Sequence, residues 1–317
     1  MPNVRLDRLA SVYLFHPLAR TLGAAFAQPV PILMYHGVQD GMSRVHPYFE
    51  TRTSPRRFAE QMKYLRDSGY RAVDLKTATQ WTGDSLTTER FVVITFDDGY
   101  EDFYTAACPI LREYGLSATV FLPSGLIGNQ RLTFEDKEYM SWAEVRDAAS
   151  WGMQIGSHTV THPKLEFLST QEVDDEVGRS RQMIEDQVGR AVTSFSYPFA
   201  FPQGNVAFVN HVREMLSRHG YENGVSTVIG TAHPHHDRFF LPRVPVNVYD
   251  DLKLFRAKLE GGYNWLRGPQ HVAKVLKRVH RSIRPGKTKP GWPDLGIDRK
   301  TLRCASTASG SGSNEPV

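Results

Sequence analysis

The sequence predicts an α/β fold in which parallel strands close into a (β/α) barrel, and three observations carry that prediction. From Val30 onward, strand-like and helix-like segments alternate, the pattern of βα units wrapped around a parallel sheet. Roughly eight strand-like segments can be counted, close to the number that closes such a barrel. Polar residues recur just past the C-terminal ends of these segments, at His36, Asp97, Asp98, Ser124, His158 and Pro198-Phe199, on the face where α/β folds build their sites. The 317 residues fit one large domain with tails, since α/β barrels commonly fill about 200 to 250 residues.

Each element has a local reason. Pro31 to Tyr35 is an apolar run of strand length ending at His36-Gly37. Ser54-Pro55 opens a helix with a cap and a first-turn proline, and Phe58, Met62 and Leu65 mark its buried stripe. Arg71 to Leu75 reads as a short strand. Phe91 to Phe96 is an unbroken, β-branched run that reads as a strand buried on both faces, with Asp97-Asp98-Gly99 at its mouth. A helix from about Tyr100 to Tyr114 ends at Gly115, and the strand Ala118 to Leu122 follows. Ser141-Trp142-Ala143-Glu144 and Ser169-Thr170-Gln171-Glu172 are capping-box spacings that start two more helices. Met153 to Gly156, Ser194 to Tyr197, Gly224 to Val228 and Phe239 to Val246 supply the remaining strands, with helices near Val206 to Arg218 and Asp250 to Leu259.

The divisions expected are an N-terminal segment (1–29), a catalytic-type domain (30–262), a basic extension (263–300) and a disordered Ser/Gly-rich tail (301–317). Ala25-Phe26-Ala27 has the look of a leader cleavage site, but Asp7, Arg8, His16, Pro17 and Arg20 interrupt the apolar core that a leader needs. An uncleaved segment lying on the domain is therefore expected, with a cytoplasmic or membrane-peripheral location and export as the alternative. No apolar run is long enough to span a bilayer. A net charge of +4 is too mild to argue for nucleic acid. Cys108 and Cys304 form neither a disulfide framework nor a metal-type pair and leave the redox compartment open. In 271–284, Val272, Val275, Leu276, Val279 and Ile283 make one stripe amid Lys274, Lys277, Arg278, Arg281 and Arg284. Such a helix suits an anionic polymer or a membrane surface, or is simply a solvated terminal helix.

Chemistry enters with His158-Thr159-Val160-Thr161-His162. Two histidines four apart after a strand can converge on one ion, and an Asp from another strand end would complete a two-His, one-carboxylate set with open positions for water and substrate. The two acids at the other strand end face one site only if the chain turns between them, which Gly99 permits.

Thr95-Phe96-Asp97-Asp98-Gly99 and His158-Thr159-Val160-Thr161-His162 resemble the first two motifs of the polysaccharide deacetylases, the NodB-homology or carbohydrate esterase family 4 enzymes. Pro31 to Val38 and Leu241-Pro242-Arg243-Val244 look like the branch that trims exopolysaccharides, including poly-N-acetylglucosamine. The resemblance runs from about Pro31 to Val248 and implies a distorted (β/α) barrel of the NodB-homology type. It implies Asp97 as general base and Asp98, His158 and His162 as ligands of a divalent metal: zinc, or cobalt or nickel in its place. It further implies a polysaccharide or oligosaccharide substrate and an oxyanion contact from the backbone N–H of Phe199. The family's third-motif arginine is missing, since Thr193-Ser194-Phe195 precede the match; Arg243 either supplies that charge or is a structural ion-pair residue. The late Leu-x-His motif of the general acid is also missing, and His233, His235 and His236 are the candidates in its place. His36 is a candidate substrate-binding residue. Tyr48, Phe49, Trp142, Tyr197 and Phe201 are the aromatic faces available to a sugar, and Tyr197, within the third-motif segment Ser196 to Ala200, is a further candidate substrate-binding residue.

Overall fold

A computed structural model describes residues 5–23, 29–41, 50–80, 89–128, 132–134 and 137–283. Parallel strands follow one another around a ring in the order Ile32–Tyr35, Leu241–Pro245, Asn223–Ile229, Ser194–Ser196, Gln154–Ser157, Thr119–Leu122 and Arg90–Phe96. The ring closes where Ile32 to Tyr35 pair with Val93 to Phe96. Seven strands therefore close the barrel rather than eight. The Tyr70–Ala72 strand is left outside, paired with Arg90 to Val92. Its neighbours explain this: the first strand occupies Val93 to Phe96 and the Thr119–Leu122 strand occupies Thr95 and Phe96, so free backbone remains only at the start of the long strand. Leu75, expected to end that outer strand, instead begins the helix Leu75–Gln80.

The period-two alternation of strands sorts the wall into an inside and an outside. Ile32, Val93, Phe121, Val225 and Leu241 fill the lower bore, where Leu75 and Ala78 join them from below. Their alternates, including Leu33, Tyr35, Val92, Ile94, Phe96, Val120, Leu122, Phe195 and Val244, face outward into the main core beneath the helices. Two residues up from Val93 and Leu241 stand Thr95 and Arg243, so the interior turns from apolar to polar within one repeat.

The helices begin where the sequence places caps. Ser54 accepts from Arg57 N, with Pro55 in the first turn. Ser141 and Ser169 each form a complete capping box, with Glu144 and Glu172. The helix after Gly99 is less regular than expected, because Phe103–Ala107 is a π-helical turn before the α-helix Cys108–Glu113. The N-terminal segment Leu6–Gly23 is helical and lies on the helices 252–266: Arg8 pairs with Asp251, Trp265 Nε1 donates to Ser11 Oγ at 3.0 Å, and His16 meets Glu260 at 2.8 Å. No helix among the described residues is long and apolar enough to cross a membrane. The expected cleavage-like site at 25–27 and the tail 301–317 lie outside the described residues.

Candidate active site

The long strand Arg90–Phe96 delivers two carboxylates in different directions. Asp97 N donates to Tyr35 O at 3.0 Å, which continues the sheet and keeps Asp97 on the inner face with Thr95. Asp98 then adopts φ +72° and Gly99 φ +64°, left-handed backbone that turns the second acid out of the strand alternation. At Gly99 an added Cβ would lie 2.8 Å from Leu122 Cδ2, so this turn needs glycine for space as well as for φ.

Asp97 is held by an arginine fork. Arg243 Nη1 and Nη2 donate to Asp97 Oδ1 and Oδ2 at 2.8 and 2.6 Å. The same guanidinium donates to Thr95 Oγ1 at 3.2 Å, Ser196 Oγ at 3.2 Å and Ser226 O at 3.0 Å, so all five of its N–H groups are engaged. Ser196 Oγ adds a bond to Asp97 Oδ1 at 3.1 Å, which leaves Oδ2 with one bond and a spare lone pair. Burial alone would raise the Asp97 pKa, but the charges of Arg243 and His158 and the Arg243 hydrogen bonds outweigh it and hold the carboxyl below its ordinary value. Arg243 is thus the buried ion-pair partner of Asp97.

Asp98 faces the histidine pair. Its Oδ1 lies 3.6 Å from His158 Nε2 and 3.4 Å from His162 Nε2. The two Nε2 atoms are 3.1 Å apart, and one ligand atom from each of the three residues falls within 4.8 Å of the others. His158 Nδ1 donates to Ser196 O at 2.7 Å, which fixes the tautomer with the Nε2 lone pair turned to the cluster. That is the donor set and proton arrangement a divalent ion requires, so the residues fit a metal. Burial lowers the His162 pKa, and the neighbouring His158 lowers it further, to about 3. Burial alone would raise the Asp98 pKa, but the neighbouring imidazoles of His158 and His162 outweigh it and push it far down.

The loop carrying the histidines is pinned from outside the barrel. Glu176, on the helix Thr170–Val188, accepts from Val160 N at 2.8 Å, Thr161 N at 2.9 Å and Thr161 Oγ1 at 2.7 Å. Ser180 Oγ donates to Thr159 O at 2.9 Å. Among the described residues, the only non-glycine positions with positive φ are Asp98, Thr159, His162 and Phe199, all within the two motifs or beside them. Backbone held in this region costs roughly 1 to 3 kcal/mol per residue, and its concentration here marks the site independently of side-chain identity.

Phe199 turns at φ +58° with its ring against His162, centroids 4.5 Å apart. Its carbonyl accepts from Thr227 Oγ1 at 2.9 Å, and its N–H has no acceptor among the described residues. His36 is partly buried at the same rim, where burial lowers its pKa against the charges of Asp98 and Asp97.

Other expected residues fall elsewhere. Tyr197 is 2% exposed and packs edge-on to Phe201 and Phe208; strand alternation sends Ser196 inward and Tyr197 outward, so Tyr197 is core and offers no face to a sugar. Phe201 is buried likewise, and Tyr48 and Phe49 lie outside the described residues. His233, His235 and His236 are not brought to the rim. Ala232 pairs with Val30 and Arg238 O accepts from Gly224 N, so this loop runs along the N-terminal ends of the strands. There His236 meets Arg267 at 3.2 Å.

One residue that sequence reasoning passed over does stand beside the site. Lys137 is buried, with its ammonium 4.4 Å from the centre of the Tyr100 ring. Burial lowers its pKa, opposed by Asp98 and Asp102. Asp102 is pushed up to about 6 by burial, which Lys137 resists. Gly37 leaves room for this pair, since a Cβ would sit 2.9 Å from Asp102 Oδ2 and 3.4 Å from Lys137 Nζ. Lys137 sits in an acidic stretch that reads as solvated; the signal was its period-two relation to Tyr139, also buried.

Comparison with known proteins bears on the family and the fold. A family model described as polysaccharide deacetylase matches residues 84–224. The Bacillus subtilis (strain 168) protein YxkH, which carries the name of a polysaccharide deacetylase, is 32% identical over 219 residues, 69% of this chain and 71% of that protein. The poly-beta-1,6-N-acetyl-D-glucosamine N-deacetylase of Escherichia coli (strain K12) is 33% identical over 138 residues, which is 40% of this chain but only 20% of that protein. In fold, the chain is similar to the Streptococcus pyogenes deacetylase PplD, with TM-score 0.63 and 24% identity over 74% of this chain and 99% of the other. It is also similar to IcaB from Ammonifex degensii, with TM-score 0.59 and 22% identity over 74% and 97%. The barrel, the two strand-end motifs and the extended match to YxkH place the chain in one family: it belongs to the polysaccharide deacetylases.

Proposed function

We propose that this protein is a metal-dependent hydrolase that removes acetyl groups from the N-acetylated sugars of an exopolysaccharide or cell-surface glycan. The observation that carries the reading is the division of labour between adjacent carboxylates: Asp97 is gripped by Arg243 and Ser196, while Asp98 faces His158 and His162. Asp98, His158 and His162 would hold the ion. When bound, a divalent metal supplies polarisation of the acyl carbonyl and a more acidic water. Zinc suits this nitrogen and oxygen set, as do cobalt and nickel.

Asp97 accepts the proton of the attacking water at Oδ2, the oxygen with the spare lone pair. Arg243 keeps that carboxylate ionised and fixes its plane. The N–H of Phe199 donates to the carbonyl oxygen as charge gathers there. The proton that Asp97 has taken from the water is then available to the leaving amine, and His36, at the same rim, is placed to bind substrate.

The test is acetate release from N-acetylglucosamine oligomers by protein stripped with chelator and then supplied with zinc, cobalt or nickel. Release restored by metal is expected. Release that persists in chelator, or hydrolysis confined to O-acetyl esters or small cyclic amides, overturns the proposal.

A further inference from the structure

The helix Arg267–Ile283 lies on the barrel with its polar side inward. Gln270 donates to Thr227 O at 2.9 Å and accepts from Ile229 N at 3.1 Å. His271 meets Gln203, and Lys274 Nζ donates to Phe201 O at 3.3 Å. At 3.6 residues per turn these three positions share one arc, and Val272, Val275 and Leu276 fall on the opposite one. Those three side chains are 55, 43 and 64% exposed. An amphipathic helix packed on a core buries its apolar stripe; this one turns it outward.

A second apolar surface adjoins it. Along Leu6–Gly23, Leu6, Leu9, Tyr13, Leu14 and Leu18 are all exposed, and this segment meets the start of the C-terminal helix where Phe15 stacks on Trp265 at 4.9 Å. Of the eleven exposed large hydrophobic side chains among the described residues, eight lie on these two helices, so the exposure is not scattered surface.

Charge selects the occupant. Residues 267–284 hold six Lys and Arg and no acid. From 267 to the end there are eleven against three, whereas the preceding chain has 27 against 31. A second copy would cover the stripe but bring two strongly basic segments together. A polyanionic glycan would meet the charge and leave the stripe in water. An anionic bilayer satisfies both.

We propose that these two helices dock the protein on an anionic lipid surface, with their apolar faces at the boundary of headgroups and acyl chains and the net positive charge of the C-terminal segment drawing them to the headgroups. The contact of Lys274 with Phe201 O lies two residues past Phe199, so the docking surface adjoins the rim, and the barrel would work on polymer close to the membrane. The inference stands apart from the assignment of the reaction.

The test is flotation of the full chain with vesicles of phosphatidylcholine alone or with about 30 mol% phosphatidylglycerol. Binding to the anionic vesicles alone is expected, weakening as salt rises from about 50 to about 500 mM. The double variant Val272→Asp with Leu276→Asp is expected to lose at least roughly tenfold in vesicle affinity, with an unchanged circular dichroism spectrum. Leu14→Asp, on the adjoining helix, gives a smaller loss in the same direction. Equal binding to both vesicle types, no binding to either, or full binding by the double variant overturns the proposal. So does a dimer in light scattering that the same variant dissociates.

Discussion

Arg243 and Asp97 meet at 2.6 Å with side chains 0 and 3% exposed, and Lys258 and Asp250 meet at 2.6 Å with side chains 2 and 0% exposed. The two pairs are alike in length and dryness but differ in donor geometry. The planar guanidinium takes both oxygens of Asp97 and fixes the plane of the carboxylate. The ammonium of Lys258 touches one oxygen of Asp250, the carbonyl of Pro245 and the face of Tyr263, and so ties a strand end to the helix Leu252–Leu259 without orienting a reactive atom. Arg5 reaches Asp250 at 3.5 Å, which extends that tie to the N-terminal segment. Burial and shortness do not tell the two pairs apart; the fork, and what lies beyond the carboxylate, do.

The sharpest way to break the comparison is Asp97→Asn. This variant keeps Asp98, His158 and His162 and is expected to bind metal normally while losing about a hundred- to ten-thousandfold in kcat; metal analysis alongside acetate release checks both halves. Asp98→Ala, by contrast, loses metal and turnover together. A fully active Asp97→Asn enzyme would sink the base assignment.

Next in size is Arg243→Leu. Removing one partner of a buried pair costs about 3 to 5 kcal/mol of stability. With the arginine gone, burial dominates and the Asp97 pKa rises. In the native protein that pKa is depressed, so the pair's stabilisation is present above the ordinary carboxylate pKa and is lost as pH falls through the lower folded value. The acid limb of the activity profile should therefore move to higher pH in the variant, and a profile that stays in place would return Arg243 to a structural role.

Glu176→Gln is milder. It loosens the backbone of Val160 and Thr161 without touching a ligand atom, and metal affinity should fall roughly tenfold, measured by competition with a chelator.

Asp250→Asn completes the set from the other pair. It should lower stability by an amount similar to Arg243→Leu, about 3 to 5 kcal/mol by denaturant titration, yet leave kcat of the folded enzyme unchanged. A large fall in kcat would mean that the two pairs are coupled.

Much of this was legible in the chain. The Asp97 strand announces itself because a strand buried on both faces must be apolar, so the first polar residues after it stand out, and the histidine motif is legible from the four-residue spacing of His158 and His162. The same rule placed the rim. What the chain hides is adjacency around the ring. Thr95, Ser196 and Arg243 converge inside the bore from three strands separated by 47 to 148 positions in sequence, and no local pattern records which strands face one another. Counting strands likewise does not reveal which are left outside, because that depends on register along Arg90–Phe96. The histidines at 233, 235 and 236 misled for the opposite reason: their residue type suits a proton donor, but the loop passes the wrong end of the strands.

The four non-glycine residues in left-handed backbone have a consequence for laboratory evolution. Selection for heat tolerance alone favours whatever relaxes unfavourable dihedrals, and glycine or asparagine at Asp98, Thr159, His162 or Phe199 would do so. A library screened only for survival on heating should therefore drift toward hardy, inert descendants, unless these four codons are held constant or turnover is scored in every round.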